Sequence, residues 1–104
     1  MTGTAKQIAW AEQIKTDALN TLDKNIARTA NEKLFEADHQ SYRILKALTI
    51  MALEKIQDAG TLIDRRRYFD PSQLNRTADK WAEGLRTGKI TVEKLAEVNH
   101  VTEW

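Results

Sequence analysis

The stretch EKLFEADHQSYRILKALTIMALEKIQDA, residues 32–59, decides the fold. Leu34, Tyr42, Leu45, Leu48, Ala52 and Ile56 recur at helical spacing and form a continuous apolar stripe. Ile44, Ile50, Met51 and Leu53 widen it until the middle of the segment is apolar almost all round. Such a helix is buried on more than one side. The pattern predicts one helix, helix two, from about Glu32 to at least Ala59, roughly 40 Å long at 1.5 Å per residue. Gly60 either ends it or bends it, because Thr61, Leu62 and Ile63 stay apolar ahead of Arg65, Arg66 and Arg67.

Upstream, Thr4 and Gln7 form a capping box that starts helix one. Ile8, Ala11, Lys15, Ala18, Leu22 and Ile26 follow as one stripe interrupted by a single lysine. Trp10 and Ile14 flank it, placed either to widen the buried face or to make a second contact. The pattern fades over residues 25–31, where Asn and Thr lower helix propensity. Downstream, Asp70, Pro71 and Gln73 combine an N-cap, a first-turn proline and a glutamine at the third position. Leu74, Ala78, Trp81 and Leu85 then mark helix three, and Gly88 is its left-handed C-cap. A short helix four is expected after Thr91, its N-cap, with Val92, Leu95, Ala96 and Val98 on one face and Ile90 stapled onto Leu95. The fold class is therefore all-α: a single domain over residues 1–104, with three main helices in a small bundle plus a short C-terminal helix.

Composition agrees with this. The 104 residues suffice for one domain. At 41% hydrophobic and 30% charged, the chain is neither disordered nor a membrane span. Four glycines and one proline are too few for the turns of a β-sandwich. The absence of cysteine removes disulfides, thiolate catalysis and thiolate zinc sites. No basic n-region precedes an apolar stretch at the start, and no segment approaches the ~20 apolar residues of a membrane helix. A cytoplasmic location in a host cell, with no membrane partner, is the expectation. The net charge is +1, but residues 61–89 carry a local net of +3 and residues 90–104 a net of −2.

Two stretches carry a family resemblance. Lys6-Gln7-Ile8-Ala9-Trp10-Ala11-Glu12-Gln13-Ile14-Lys15 resembles an N-terminal motif of a family of small uncharacterised proteins from phages, prophages and other mobile elements. Ala59-Gly60-Thr61-Leu62-Ile63-Asp64-Arg65-Arg66 is similar to that family's second motif, in which aromatic residues usually precede Ile-Asp-x-Arg; Thr61 and Leu62 stand where tryptophan is common. No catalytic residues come with the resemblance. It implies a setting: a small accessory protein of a mobile element. Proteins of that kind often bind a host protein, including as inhibitors of host defence systems.

Several groups of residues bear on chemistry. Glu36 with His39, and Glu97 with His100, are both Glu-x-x-His, the spacing that di-iron carboxylate bundles use. No glutamate sits inside the apolar stripes to complete such a site, so the expectation is no metal and no cofactor. Ser41 and Ser72 have no catalytic partner, and no Gly-x-Ser-x-Gly or phosphate loop occurs. The chain therefore reads as a non-enzyme. Arg65, Arg66, Arg67 and Tyr68 form the densest basic cluster. With Trp10 and Trp104 they are the candidate protein-binding residues, since arginine, tyrosine and tryptophan dominate interface hot spots. The alternative is nucleic-acid binding through Arg65, Arg66, Arg67, Arg76 and Lys80. Structural roles compete with both: the arginines can complement helix carbonyls, and Tyr68 and Phe69 can plug the core. Trp81 belongs to the core stripe. The apolar surplus of helix two needs a cover, which the other helices, a second copy in a symmetric homodimer, or a host protein can each provide.

Overall fold

The computed structural model describes residues 1–30 and 35–91. Within them the chain forms four helices: α1 (Ala5–Thr29), α2 (Glu36–Lys55), α3 (Ala59–Asp64) and α4 (Pro71–Thr87). A 3-10 turn, Arg66–Phe69, joins α3 to α4. The architecture is a small all-α bundle, with α1, α2 and α4 as its three main helices. Val92, Leu95, Ala96, Val98 and the short helix expected there lie outside the described residues.

The helix ends follow local chemistry. The Thr4 hydroxyl accepts the Gln7 N–H at 3.2 Å, and the Gln7 side chain accepts the Thr4 N–H at 3.0 Å, closing the expected capping box. Asp70 caps α4 by accepting the Ser72 N–H at 2.8 Å, with Pro71 in the first turn. Gly88 ends α4 in the left-handed region at φ 77°, where a Cβ is disfavoured.

The long helix two expected over residues 32–59 is shorter and divided. α2 has 20 residues, about 30 Å, and stops where Ile56 turns extended at φ −95°, ψ 108°. Gly60 neither ends nor bends it, because Gly60 lies inside α3. Two interactions make the break. The Asp58 carboxylate accepts the Thr61 N–H at 2.9 Å and so starts a new helix. Thr2 pairs with the extended residues, its N–H donating to the Gln57 carbonyl at 2.9 Å and its carbonyl accepting the Ala59 N–H at 2.8 Å. The chain's start thereby satisfies backbone groups that the interruption leaves open.

The core gathers the expected stripes. Ala11, Ala18 and Leu22 of α1 meet Leu45 and Ala52 of α2, Leu62 of α3, and Leu74 and Ala78 of α4, all buried, with Phe69 plugged between them. Trp81 packs against this cluster partly buried, as do Ile8, Ile14 and Ile26. Polar contacts fix how the helices run. Lys46 pairs with Asp23 at 2.5 Å, and the His39 ring nitrogen Nδ1 lies 3.1 Å from the Thr29 hydroxyl and 3.2 Å from the Ile26 carbonyl, so α1 and α2 are antiparallel. Arg86 pairs with Asp38 at 3.1 Å, and the Tyr42 hydroxyl donates to Asn75 Oδ1 at 3.3 Å, so α2 and α4 are antiparallel too. Asn25 donates to the same Asn75 oxygen at 3.2 Å, which ties all three main helices at one point.

Candidate functional site

Trp10 and Arg66 are 56 residues apart, and the fold stacks them. The Arg66 guanidinium lies over the Trp10 ring at 5.3 Å from its centroid, within cation–π range. Each is placed by its element. Trp10 sits in the second turn of α1 on the flank of the buried stripe and stays 50% exposed. Arg66 opens the 3-10 turn, and its Nη1 donates to the Ile63 carbonyl at 2.8 Å, one of the last carbonyls of α3. Arg66 thus complements helix carbonyls as the cluster's structural role predicts, on α3 rather than helix two, and lays its flat face on the indole. Two fixed attachments hold the pair in one arrangement, so a partner would not have to order it.

Beside the pair is a recess of about 270 Å³ lined by Ile14, Asp17, Arg66, Arg67, Phe69 and Pro71, with the N-cap Asp70 at its edge. Ile14 follows Trp10 by one helical turn, so indole and recess share one face of α1. Arg65 and Arg67 are exposed. Arg65 donates its backbone N–H to the end of α3 at Thr61 and Leu62, an anchor that leaves its side chain outward. Hydrogen bonds from the Ser72 side chain and N–H hold the Asp70 carboxyl below the usual carboxylate range, which keeps a negative charge in the lining of the recess. The corner therefore offers a flat aromatic face, a fixed cation, two exposed cations and a partly apolar hollow.

The remaining candidates sit elsewhere. Tyr68 is partly buried and packs against the core. Arg76 and Lys80 lie one turn apart on the outer face of α4, with Asp79 and Glu83 exposed beside them, so that face mixes both signs. Trp104, Glu97 and His100 lie outside the described residues. His39 is engaged at the α1–α2 junction and Glu36 is exposed; no group of three or more metal-ligating side chains occurs among the described residues. No described helix is long and apolar enough to cross a membrane.

Some features had no signal in the spacing. Asp17 and Pro71 line the recess only because the 3-10 turn brings the start of α4 against α1. A second exposed pair, Arg28 over Phe35 at 5.7 Å, forms where α1 ends and α2 begins. No protein-family model, no curated protein and no solved structure matches the chain.

Proposed function

We propose that this chain is a non-enzymatic, protein-binding accessory protein of a phage or mobile element, which occludes a host protein through the Trp10–Arg66 corner. A host defence component is the target class that its resemblance suggests. One observation carries the reading: Arg66 is fixed over a half-exposed Trp10 beside the recess of Ile14, Arg67 and Phe69. Tryptophan and arginine are the residues most enriched in interface hot spots, and hot spots sit over pockets.

The nucleic-acid alternative has less behind it. Its five cations fall into two groups, and Arg66 turns its face to Trp10 and Nη1 to a carbonyl. Phosphate binding would show as affinity falling steeply with salt. A protein contact centred on Trp10 is far less sensitive. The test is capture from a host lysate with the wild-type chain and a Trp10→Ala/Arg66→Ala bait, in low and in high salt. A host protein held by the wild type in both, and lost by the variant, is the expected result. Equal capture by both baits removes the proposed surface.

A further inference from the structure

We propose that the outward face of α2 is a self-complementary interface that pairs two copies of this chain antiparallel. This surface does not include the Trp10–Arg66 corner, and the inference does not depend on the function proposed for that corner.

The two inner sides of α2 are occupied. Lys46 and His39 tie one to α1, and Asp38 and Tyr42 tie the other to α4. The outward face carries Gln40, Arg43, Ile44, Ala47, Met51 and Glu54. Gln40, Arg43, Ile44 and Ala47 line a shallow, open hollow of about 370 Å³. Their spacing, i, i+3, i+4 and i+7, is that of the four residues that form a hole for a side chain of a facing helix. One turn beyond Ala47, Met51 projects with 43% of its surface exposed, although it is a large apolar side chain. The face thus has a hole and, beside it, a knob. Ile44 and Ile50 flank them half-buried.

A two-fold axis passing close to Ala47 brings these features together. In the antiparallel pair, each Met51 enters the hollow of the other copy, centred between Arg43 and Ile44. The small Ala47 at the axis lets the two backbones approach. Arg43 and Glu54 are both exposed and lie on the same side of α2, about 16 Å apart at 1.5 Å per residue. They cannot pair within one chain. Across the axis Arg43 reaches Glu54 of the second copy, and symmetry gives the contact twice. A parallel arrangement would set like charges opposite each other, so the charges fix the direction of pairing. Met is suited to the knob, because its flexible thioether adapts to an irregular hollow.

The experiment is sedimentation of the full chain from roughly 10 to 500 μM, the range in which an interface at the small end of the specific class associates. The wild type is expected to pass from monomer to dimer. Met51→Glu, a change on an exposed position, is expected to remain monomeric with unchanged helical circular dichroism. Arg43→Glu and Glu54→Arg are each expected to weaken dimerisation about tenfold, since two pairs per dimer become like-charge contacts. The Arg43→Glu/Glu54→Arg double variant is expected to recover it. Ala47→Cys, which would supply the chain's only thiol, is expected to oxidise to a covalent dimer. A wild type that stays monomeric throughout overturns the proposal. So does a dimer indifferent to Met51→Glu, or one that the double variant fails to restore. Should Met51→Glu not fold, the charge-swap series decides alone.

Discussion

Replacing Gly84 with alanine sets two effects of opposite sign against each other. Gly84 lies inside α4 and is buried. Glycine in a helix interior costs about 1 kcal/mol relative to alanine, so backbone entropy alone favours the change. Ile90, just past the Gly88 cap, folds back onto this glycine, and its N–H donates to the Gly84 carbonyl at 3.1 Å. A Cβ on Gly84 would fall on Ile90 Cδ1, 2.7 Å from Cγ1 and 3.1 Å from Cβ. Because the overlap extends back towards Ile90 Cβ, turning the tip of the side chain does not relieve it; Ile90 must lift off. That exposes a half-buried isoleucine, roughly 1 kcal/mol, and breaks a backbone hydrogen bond worth roughly another 1 kcal/mol. The losses exceed the gain, and Gly84→Ala should destabilise by about 1 kcal/mol. In an Ile90→Ala background most of the obstruction is gone, and the same change should stabilise by about 0.5–1 kcal/mol. Urea unfolding of the four proteins measures the coupling, expected near 1.5–2 kcal/mol. Gly84→Ala stabilising both backgrounds equally would show that Ile90 does not pack on α4.

Other consequences are simpler. The Thr49 hydroxyl is buried without a hydrogen-bond partner among the described residues, so Thr49→Val should raise stability by about 1 kcal/mol in thermal or urea unfolding. Asp70→Ala should cost about 1 kcal/mol through loss of the α4 cap, while Asp70→Asn should keep most of it. Hydrogen bonds lower the Asp58 and Asp70 carboxyl pKa values in the fold, chiefly from the Thr61 N–H and the Ser72 side chain respectively. Their contribution is present above the ordinary carboxylate pKa and fades as pH falls through the lowered values. Asp70→Asn should therefore lose less stability than the wild type on acidification. Burial, aided by the Asp79 charge, raises the Tyr42 pKa, so stability should fall as pH rises beyond the ordinary phenol value, and Tyr42→Phe should flatten that alkaline limb.

The parts of this fold that were readable from sequence are those whose causes are local. Thr4 with Gln7, Asp70 with Pro71, and Gly88 each specify a helix end within a few residues. The stripe through Tyr42, Leu45, Leu48 and Ala52 specifies a buried face by spacing alone. The division of helix two was not readable from apolar pattern, because Ile56, Ala59, Leu62 and Ile63 continue it across the break. Asp58 held a signal, as a strong N-cap residue three positions before Thr61. The pairing with Thr2 that holds the break open comes from the far end of the chain. The site behaves likewise. Trp10 and Arg66 stand out by residue type, yet nothing in their spacing says that the 3-10 turn lays one upon the other. Asp17 and Pro71 carry no distinguishing feature until α4 starts against α1. The surplus on helix two proved narrower than its composition suggests: Leu48, Ala52 and Leu53 are consumed by the core, leaving Ile44, Ala47, Ile50 and Met51 to account for it.

The central claim is that Trp10 and Arg66 act as one protein-binding unit. It is tested most directly by quantitative capture with four baits: wild type, Trp10→Ala, Arg66→Ala and the double variant. Circular dichroism should show all four folded, with Arg66→Ala losing about 1 kcal/mol through the hydrogen bond to the Ile63 carbonyl and Trp10→Ala at least as much through the buried half of its ring. The account predicts a host protein enriched on the wild type and depleted on each single variant, with the double variant little worse than either. Retention of that protein by all three variants, each folded, would contradict it.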